Sequence, residues 1–213
     1  ISSFHFLVSI FYCLPFTSTP QLAQGMLQSP RMAKSAPTRV IGIDPGLNIT
    51  GYGVIECRAR NVNLLEAGVI RSPKRQADNL AARLGTLFDG VREILDEFHP
   101  QVMCLEEVYS HVDYPRTAIL MGHARGVICL AARLAGIPVV SYSAKRIKQA
   151  ATGNGNAGKM QVQRAIQQSF SLVSLPHPPD VADALAAALC GVHTLGVKTG
   201  GILLPVQTKK ARL

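Results

Sequence analysis

The chain has 213 residues, of which 47% are hydrophobic and only 16% charged. That balance excludes a wholly disordered chain and supplies enough apolar material for one core of ordinary domain size. Lys and Arg number 22 against 13 Asp and Glu, and the formal net charge of +9 points to a polyanionic partner, chiefly nucleic acid.

The five cysteines (Cys13, Cys57, Cys104, Cys129 and Cys190) are odd in number and contain no C-x-x-C pair. Neither a disulfide framework nor a structural zinc site is expected, and the setting expected is reducing and cytoplasmic. Residues 1–38 differ in character from the rest. Phe4 to Phe16 is an apolar run too short to span a bilayer comfortably, so no membrane partner is expected. No Lys or Arg precedes the run and no clear small-residue cleavage site follows it. An upstream reading-frame artefact with Met26 or Met32 as the start, a targeting segment and a disordered arm are the three readings, the first favoured. The expected division is therefore an extension over 1–38, a domain over 39–195 and a basic tail over 196–213.

Arg39–Asp44 (RVIGID) reads as a short apolar strand ended by the Pro45-Gly46 turn. Thr50–Cys57 and Val62–Arg71 read as two more strands linked as antiparallel hairpins. Gln76–Phe98 is the clearest helix: Leu80, Leu84, Leu87, Phe88, Val91, Ile94, Leu95 and Phe98 recur at helical spacing before His99-Pro100 stops them. Val102–Val108 follows as a buried strand with two carboxylates at its end. Arg116–Ala135 is a second helix, apolar on most sides, expected to be buried or at an interface. Ile137–Tyr142 is a fifth strand. Ala144–Ala151 and Lys159–Phe170 form shorter helices around a Gly/Asn turn expected to be flexible, and Pro178-Pro179 opens a last helix from Asp180 to about Leu195. Three strands followed by alternating strands and helices predict an α/β sandwich with a mixed sheet.

Acids are scarce, yet several occupy awkward places. Asp44 ends one apolar strand, and Glu106 and Glu107 end another. Asp180 and Asp183 are three apart, so they share one helix face. Each has a bland account taken singly, as a turn cap, a solvated strand end or a helix N-terminal acid. Jointly they describe carboxylates able to converge, and converging carboxylates raise one another's pKa unless a cation lies among them. Hard oxygen donors select Mg²⁺ or Mn²⁺ over zinc, and two such ions about 4 Å apart suit phosphodiester cleavage. Between Ser143 and Leu213 the Lys and Arg residues cluster as Lys145, Arg146 and Lys148, with Lys159 beyond the turn and Lys209, Lys210 and Arg212 in the tail. The turn GNGNAG matches G-x-G-x-x-G literally, but it follows a basic helical segment instead of a strand, so a dinucleotide site is not expected.

The segments IGIDPGLNITGYGVIE, CLEEVY, GHARGV and HPPDVADALAAAL, in this order and spacing, resemble the RuvC family of bacterial Holliday-junction resolvases over about residues 39–195. The resemblance implies an RNase H-like three-layer α/β fold with a mixed five-stranded sheet flanked by helices. It implies Asp44, Glu106, Asp180 and Asp183 as catalytic metal-binding carboxylates, with Glu107 outside the quartet. It implies Mg²⁺, with Mn²⁺ as a substitute and two ions per site. It places Lys148 and Lys159 near the scissile phosphates, and Tyr109 as an aromatic that stacks at the junction centre. Lys145 and Arg146 join the DNA-binding set. A homodimer, a four-way DNA junction as substrate and the RuvA-RuvB branch-migration complex as partner are implied likewise, with paired nicks on opposing strands serving recombination and repair. The stretch SHVDYPR departs from the usual pattern, which places the details of junction opening in doubt. Alternatives are an RNA-directed nuclease of the YqgF type, which shares the D-P-G start; a junction-binding scaffold, against which all four acids argue; and an actin-like kinase, for which the chain lacks a second phosphate motif.

Overall fold

In this computed structural model residues 37–58, 61–73, 79–107 and 115–194 are described. The elements run β1 (Thr38–Asp44), β2 (Ile49–Arg58), β3 (Asn61–Arg71), α1 (Leu80–Phe98), β4 (Val102–Glu106), α2 (Pro115–Leu134), β5 (Val139–Tyr142), α3 (Ala144–Thr152), α4 (Lys159–Ser169) and α5 (Pro179–Thr194). The sheet has five strands in the order β3-β2-β1-β4-β5. β1, β2 and β3 pair antiparallel, whereas β1–β4 and β4–β5 are parallel. The first strand is thus the central one.

Both faces of the sheet are covered, and strand alternation divides them. Ile41, Ile43, Val54, Met103 and Leu105 face α1 and α2, where Leu87, Val91, Leu95, Ala124, Ile128 and Ala131 meet them. Val40, Ile55, Val102 and Cys104 face the opposite layer of α3, α4 and α5. The result is a three-layer α/β/α domain, and the two apolar clusters form its cores.

α5 is the most enclosed helix: every residue from Val181 to Val192 is buried except Asp183. Its small side chains let it lie unusually close to the sheet. A β-carbon on Gly42 would stand 2.0 Å from the Ala184 carbonyl oxygen, and one on Gly191 would stand 2.2 Å from Cys104 Sγ. Both glycines are therefore required by close approach.

Local signals set the helix limits. α1 starts at Leu80, where the Asn79 side chain accepts the Ala82 N–H at 2.9 Å. The capped start falls after the expected Gln76, and residues 74–78 lie outside the described set. α1 ends on His99 at φ 47°, whose N–H donates to the Leu95 carbonyl. β4 runs to Glu106 and the Glu107 N–H still donates to the Tyr142 carbonyl, while the expected strand end at Val108 lies outside the described residues. α2 is less enclosed than its composition predicts: Ala124, Ile128, Ala131 and Ala132 are buried, but Ile119, Leu130 and Leu134 are 60%, 52% and 63% exposed. By length and composition Arg116–Leu134, with mean hydropathy 1.2, is long and apolar enough to cross a membrane, yet its inner face belongs to the core shared with α1.

Candidate active site

Asp44 is the last residue of β1 and Glu106 the last of β4. The parallel register pairs Gly42 with Cys104 and Ile43 with Leu105, so the two acids end adjacent strands side by side. Alternation aims both at the α5 layer, as it does Val40 and Cys104. On that layer α5 begins at Pro179, a residue suited to the first helical position because it lacks an N–H that would go unused. Asp180 and Asp183 follow in its first turns. Gly51, on β2 opposite Asp44, admits the Asp180 backbone, since a β-carbon there would lie 2.1 Å from the Asp180 carbonyl oxygen. Behind Asp44 the chain turns on a hydrogen bond in which the buried Thr50 hydroxyl donates to the Gly46 carbonyl at 2.5 Å.

The electrostatics identify the same cluster. Burial, then the charges of Asp183, Glu106 and Asp180, push the Asp44 carboxyl up to about 8. Glu106 is raised by burial and by Asp183, and opposed by Lys148 and Lys159. Asp183 is raised by burial and by Asp180, and both lysines oppose that shift too. The two lysines come from α3 and the start of α4, and they face the acids across the end of the sheet.

Among the described residues no group of three or more His, Cys, Asp or Glu side chains is gathered tightly enough to hold a metal ion. The four acids are nonetheless coupled: Asp183, Glu106 and Asp180 each raise Asp44. The donor set still fits a hard divalent cation: only oxygen ligands are present, and the carboxylates are partly buried and mutually repelled.

The other expected residues divide. Arg146 is engaged within the fold, with its guanidinium 5.5 Å from the centroid of the Tyr142 ring and Nη2 donating to Thr194 Oγ1 at 3.4 Å. Lys145 lies by the 153–158 turn, its Cγ 2.7 Å from where a Gly155 β-carbon would stand. That turn is firmly tied. Gln149 Nε2 donates to the Gly153 carbonyl at 2.6 Å, Gln149 Oε1 accepts the Gly155 N–H at 2.9 Å, and Asn154 Oδ1 accepts the Asn156 N–H at 3.0 Å. Expected as a flexible DNA-facing turn or a plain connector, the segment joins α3 to α4 and is hydrogen-bonded through Gln149 and Asn154. Tyr109, most of the SHVDYPR stretch and the tail cations Lys198, Lys209, Lys210 and Arg212 lie outside the described residues.

Sequence reasoning passed over Arg125. GHARGV stands out as a segment, but nothing in the residue order shows that this arginine reaches two strand ends, donating to the Glu106 carbonyl and to the Ser141 hydroxyl. The glycine pattern at 42, 51 and 53 was a second available signal, marking the track of a closely packed helix.

Comparison with known proteins agrees with this geometry. The family model described as crossover junction endodeoxyribonuclease RuvC matches residues 40–191. A protein of that name from Rhodopirellula baltica is 52% identical over 152 residues, covering 71% of this chain and 84% of that protein. The Shewanella amazonensis protein of the same name is 43% identical over 155 residues, covering 73% of this chain and 87% of its own. Among solved structures, T. thermophilus RuvC in complex with a Holliday junction substrate superposes with a TM-score of 0.68 at 32% identity, covering 76% of this chain and 97% of that one. The yeast mitochondrial Holliday junction resolvase, at 16% identity and TM-score 0.51 over 72% of this chain and 77% of its own, shares the fold. The central strand ending in Asp44, its neighbour ending in Glu106 and the closely seated α5 thus belong to a recognised lineage, and this chain is a member of the RuvC family of crossover junction endodeoxyribonucleases.

Proposed function

We propose that this chain resolves four-way DNA junctions by hydrolysing a phosphodiester bond in each of two opposing strands, in recombination and repair. One observation carries the reading: Asp44, Glu106, Asp180 and Asp183 share one electrostatic site, faced by Lys148 and Lys159. Family membership supports it, as does the likeness to a T. thermophilus relative seen with its Holliday junction.

Asp44, Glu106, Asp180 and Asp183 are the residues that would hold divalent metal, Mg²⁺ first and Mn²⁺ as a substitute, two ions per site. When bound, such ions supply an activated water and stabilise the leaving oxygen. The protein's own side chains do the rest. Asp44, whose carboxyl is pushed up to about 8 by burial and its acidic neighbours, would ionise beside a bound cation. Lys148 and Lys159 hold the phosphate beside them, and Lys145 and Arg146 extend the basic surface along the DNA backbone. Tyr109 stacks on a base at the junction centre.

Symmetric cutting calls for two copies of the site, and hence a homodimer. The outer face of α2 offers the surface, with Ile119, Leu130 and Leu134 exposed and open space over Gly122 and Gly126. The RuvA-RuvB complex would deliver the junction.

The test uses a synthetic mobile junction, with duplex DNA and an RNA–DNA hybrid as controls, in Mg²⁺, in Ca²⁺ and with Asp44→Asn protein. Paired nicks on the junction alone, abolished in Asp44→Asn while binding persists, are expected. Binding without nicks in any metal would make the protein a scaffold, and cleavage of the hybrid alone would make it an RNA-directed nuclease.

A further inference from the structure

Arg125 projects from α2, the layer on the side of the sheet opposite to the acids' own layer. Its planar guanidinium donates from Nη1 to the backbone carbonyl of Glu106 and from Nη2 to the hydroxyl of Ser141 on β5. Ser141 stands in register with Leu105, the residue before Glu106. One further bond closes this end of the ladder: the Glu107 N–H donates to the Tyr142 carbonyl at 2.9 Å. Among the described residues no hydrogen bond or salt bridge holds the Glu106 carboxyl itself. Its direction is set through its backbone, which the ladder and one side chain from the opposite layer together hold against β5.

From this geometry we propose that Arg125 is a positioning residue for Glu106, clamping the ends of β4 and β5 so that the Glu106 carboxylate is presented to the metal and the phosphate. The idea rests on the nuclease reading above and assigns it a residue that touches neither DNA nor metal. The chemistry requires arginine, because two acceptors on two strands match a rigid fork with several N–H donors, whereas an ammonium is a single point charge. Groups that orient metal ligands from behind typically change affinity or activity about 10–100-fold when removed.

The experiment compares full-length wild type with Arg125→Gln and Ser141→Ala in three measurements. Mn²⁺ binding is read by calorimetry without DNA, junction affinity in EDTA, and kcat and KM for nicking in Mg²⁺; thermal melting checks folding. Arg125→Gln is expected to weaken Mn²⁺ binding and lower kcat by about 10–100-fold, with KM and junction affinity within about twofold of wild type. Ser141→Ala, which leaves the guanidinium one of its two partners, is expected to act in the same direction to a smaller extent. It also keeps the test open if Arg125→Gln fails to fold. Unchanged Mn²⁺ affinity and kcat in a folded variant would overturn the proposal, as would losses matching only a smaller folded fraction. The DNA-free Mn²⁺ arm separates the two readings. If wild type does not nick junctions yet binds Mn²⁺ in an Arg125-dependent way, the substrate reading falls and the positioning role stands.

Discussion

Gly51 lies directly beneath Asp180: a β-carbon on the glycine would stand 2.1 Å from the aspartate's carbonyl oxygen and 3.1 Å from its own β-carbon. One acid of the site is therefore positioned by the absence of a side chain on β2, far earlier in the sequence. Gly51→Ala is expected to push the start of α5 outward. Nicking should fall at least tenfold, with a stability loss of about 1–3 kcal/mol from overpacking. Gly42→Ala, which meets helix backbone at 2.0 Å near the middle of α5, should cost more stability. Melting curves and nicking rates of the two variants check this. Losses no larger than that of Gly85→Ala, where a β-carbon meets nothing within 4 Å, would contradict the close seating of the helix.

Much of the site was legible in the residue order, because acids at the ends of apolar strands and a D-x-x-D pair at a helix start are local signals. The strand cores and the later helices were legible for the same reason, though β5 begins at Val139 and not at Ile137. The central place of β1 was not, since pairing with β4 is a long-range relation that no local pattern records. The order of the 153–158 turn was hidden because glycine content signals freedom, whereas the bonds from Gln149 and Asn154 that remove it appear only in three dimensions. Which face of α2 joins the core and which is exposed was not legible, because apolar composition does not distinguish the two.

Proton linkage at Asp44 gives a second test. Its carboxyl is pushed up to about 8 from 3.8, so the folded state holds the proton more tightly than the unfolded chain does. The contribution to stability is complete below the unfolded value and is lost as pH rises through the folded one. Glu106 and Asp183 are shifted in the same direction. Chelator-treated wild type is expected to lose stability from about pH 5 to about pH 8, by urea denaturation. Asp44→Asn should flatten the dependence and exceed wild type at the alkaline end by on the order of 2 kcal/mol. Added Mg²⁺ should stabilise wild type most at the alkaline end.

Lys159 lowers the pKa of Asp44, Glu106 and Asp183 alike. Lys159→Met is therefore expected to move the acid limb of the pH–rate profile for nicking upward, beyond any loss of affinity. Junction binding should also lose about one unit of its salt slope. A variant with weaker binding and an unmoved pH profile would restrict this lysine to the phosphate.

Arg146 has an internal role that Lys145 lacks, over the Tyr142 ring and against Thr194. Arg146→Ala should destabilise the fold by about 0.5–1 kcal/mol through the lost cation–π contact, whereas Lys145→Ala should leave the melting temperature unchanged. Both should weaken junction binding at low salt. Parallel melting and binding titrations separate the two effects.

The close seating of α5 also bears on how the site comes into being during synthesis. Asp44 and Asp183 are separated by more than half of the chain, and the helix that carries Asp183 covers the strand that carries Asp44. A nascent chain halted before α5 would own only Asp44 and Glu106, on a sheet whose glycine-lined face is bare. On the proposed reading such a fragment would have half of the acidic quartet and no seated helix to bring the rest, and it is expected not to nick DNA. On that reading the site would be completed only when the last helix docks on the first strand, so cutting capacity would await the end of synthesis.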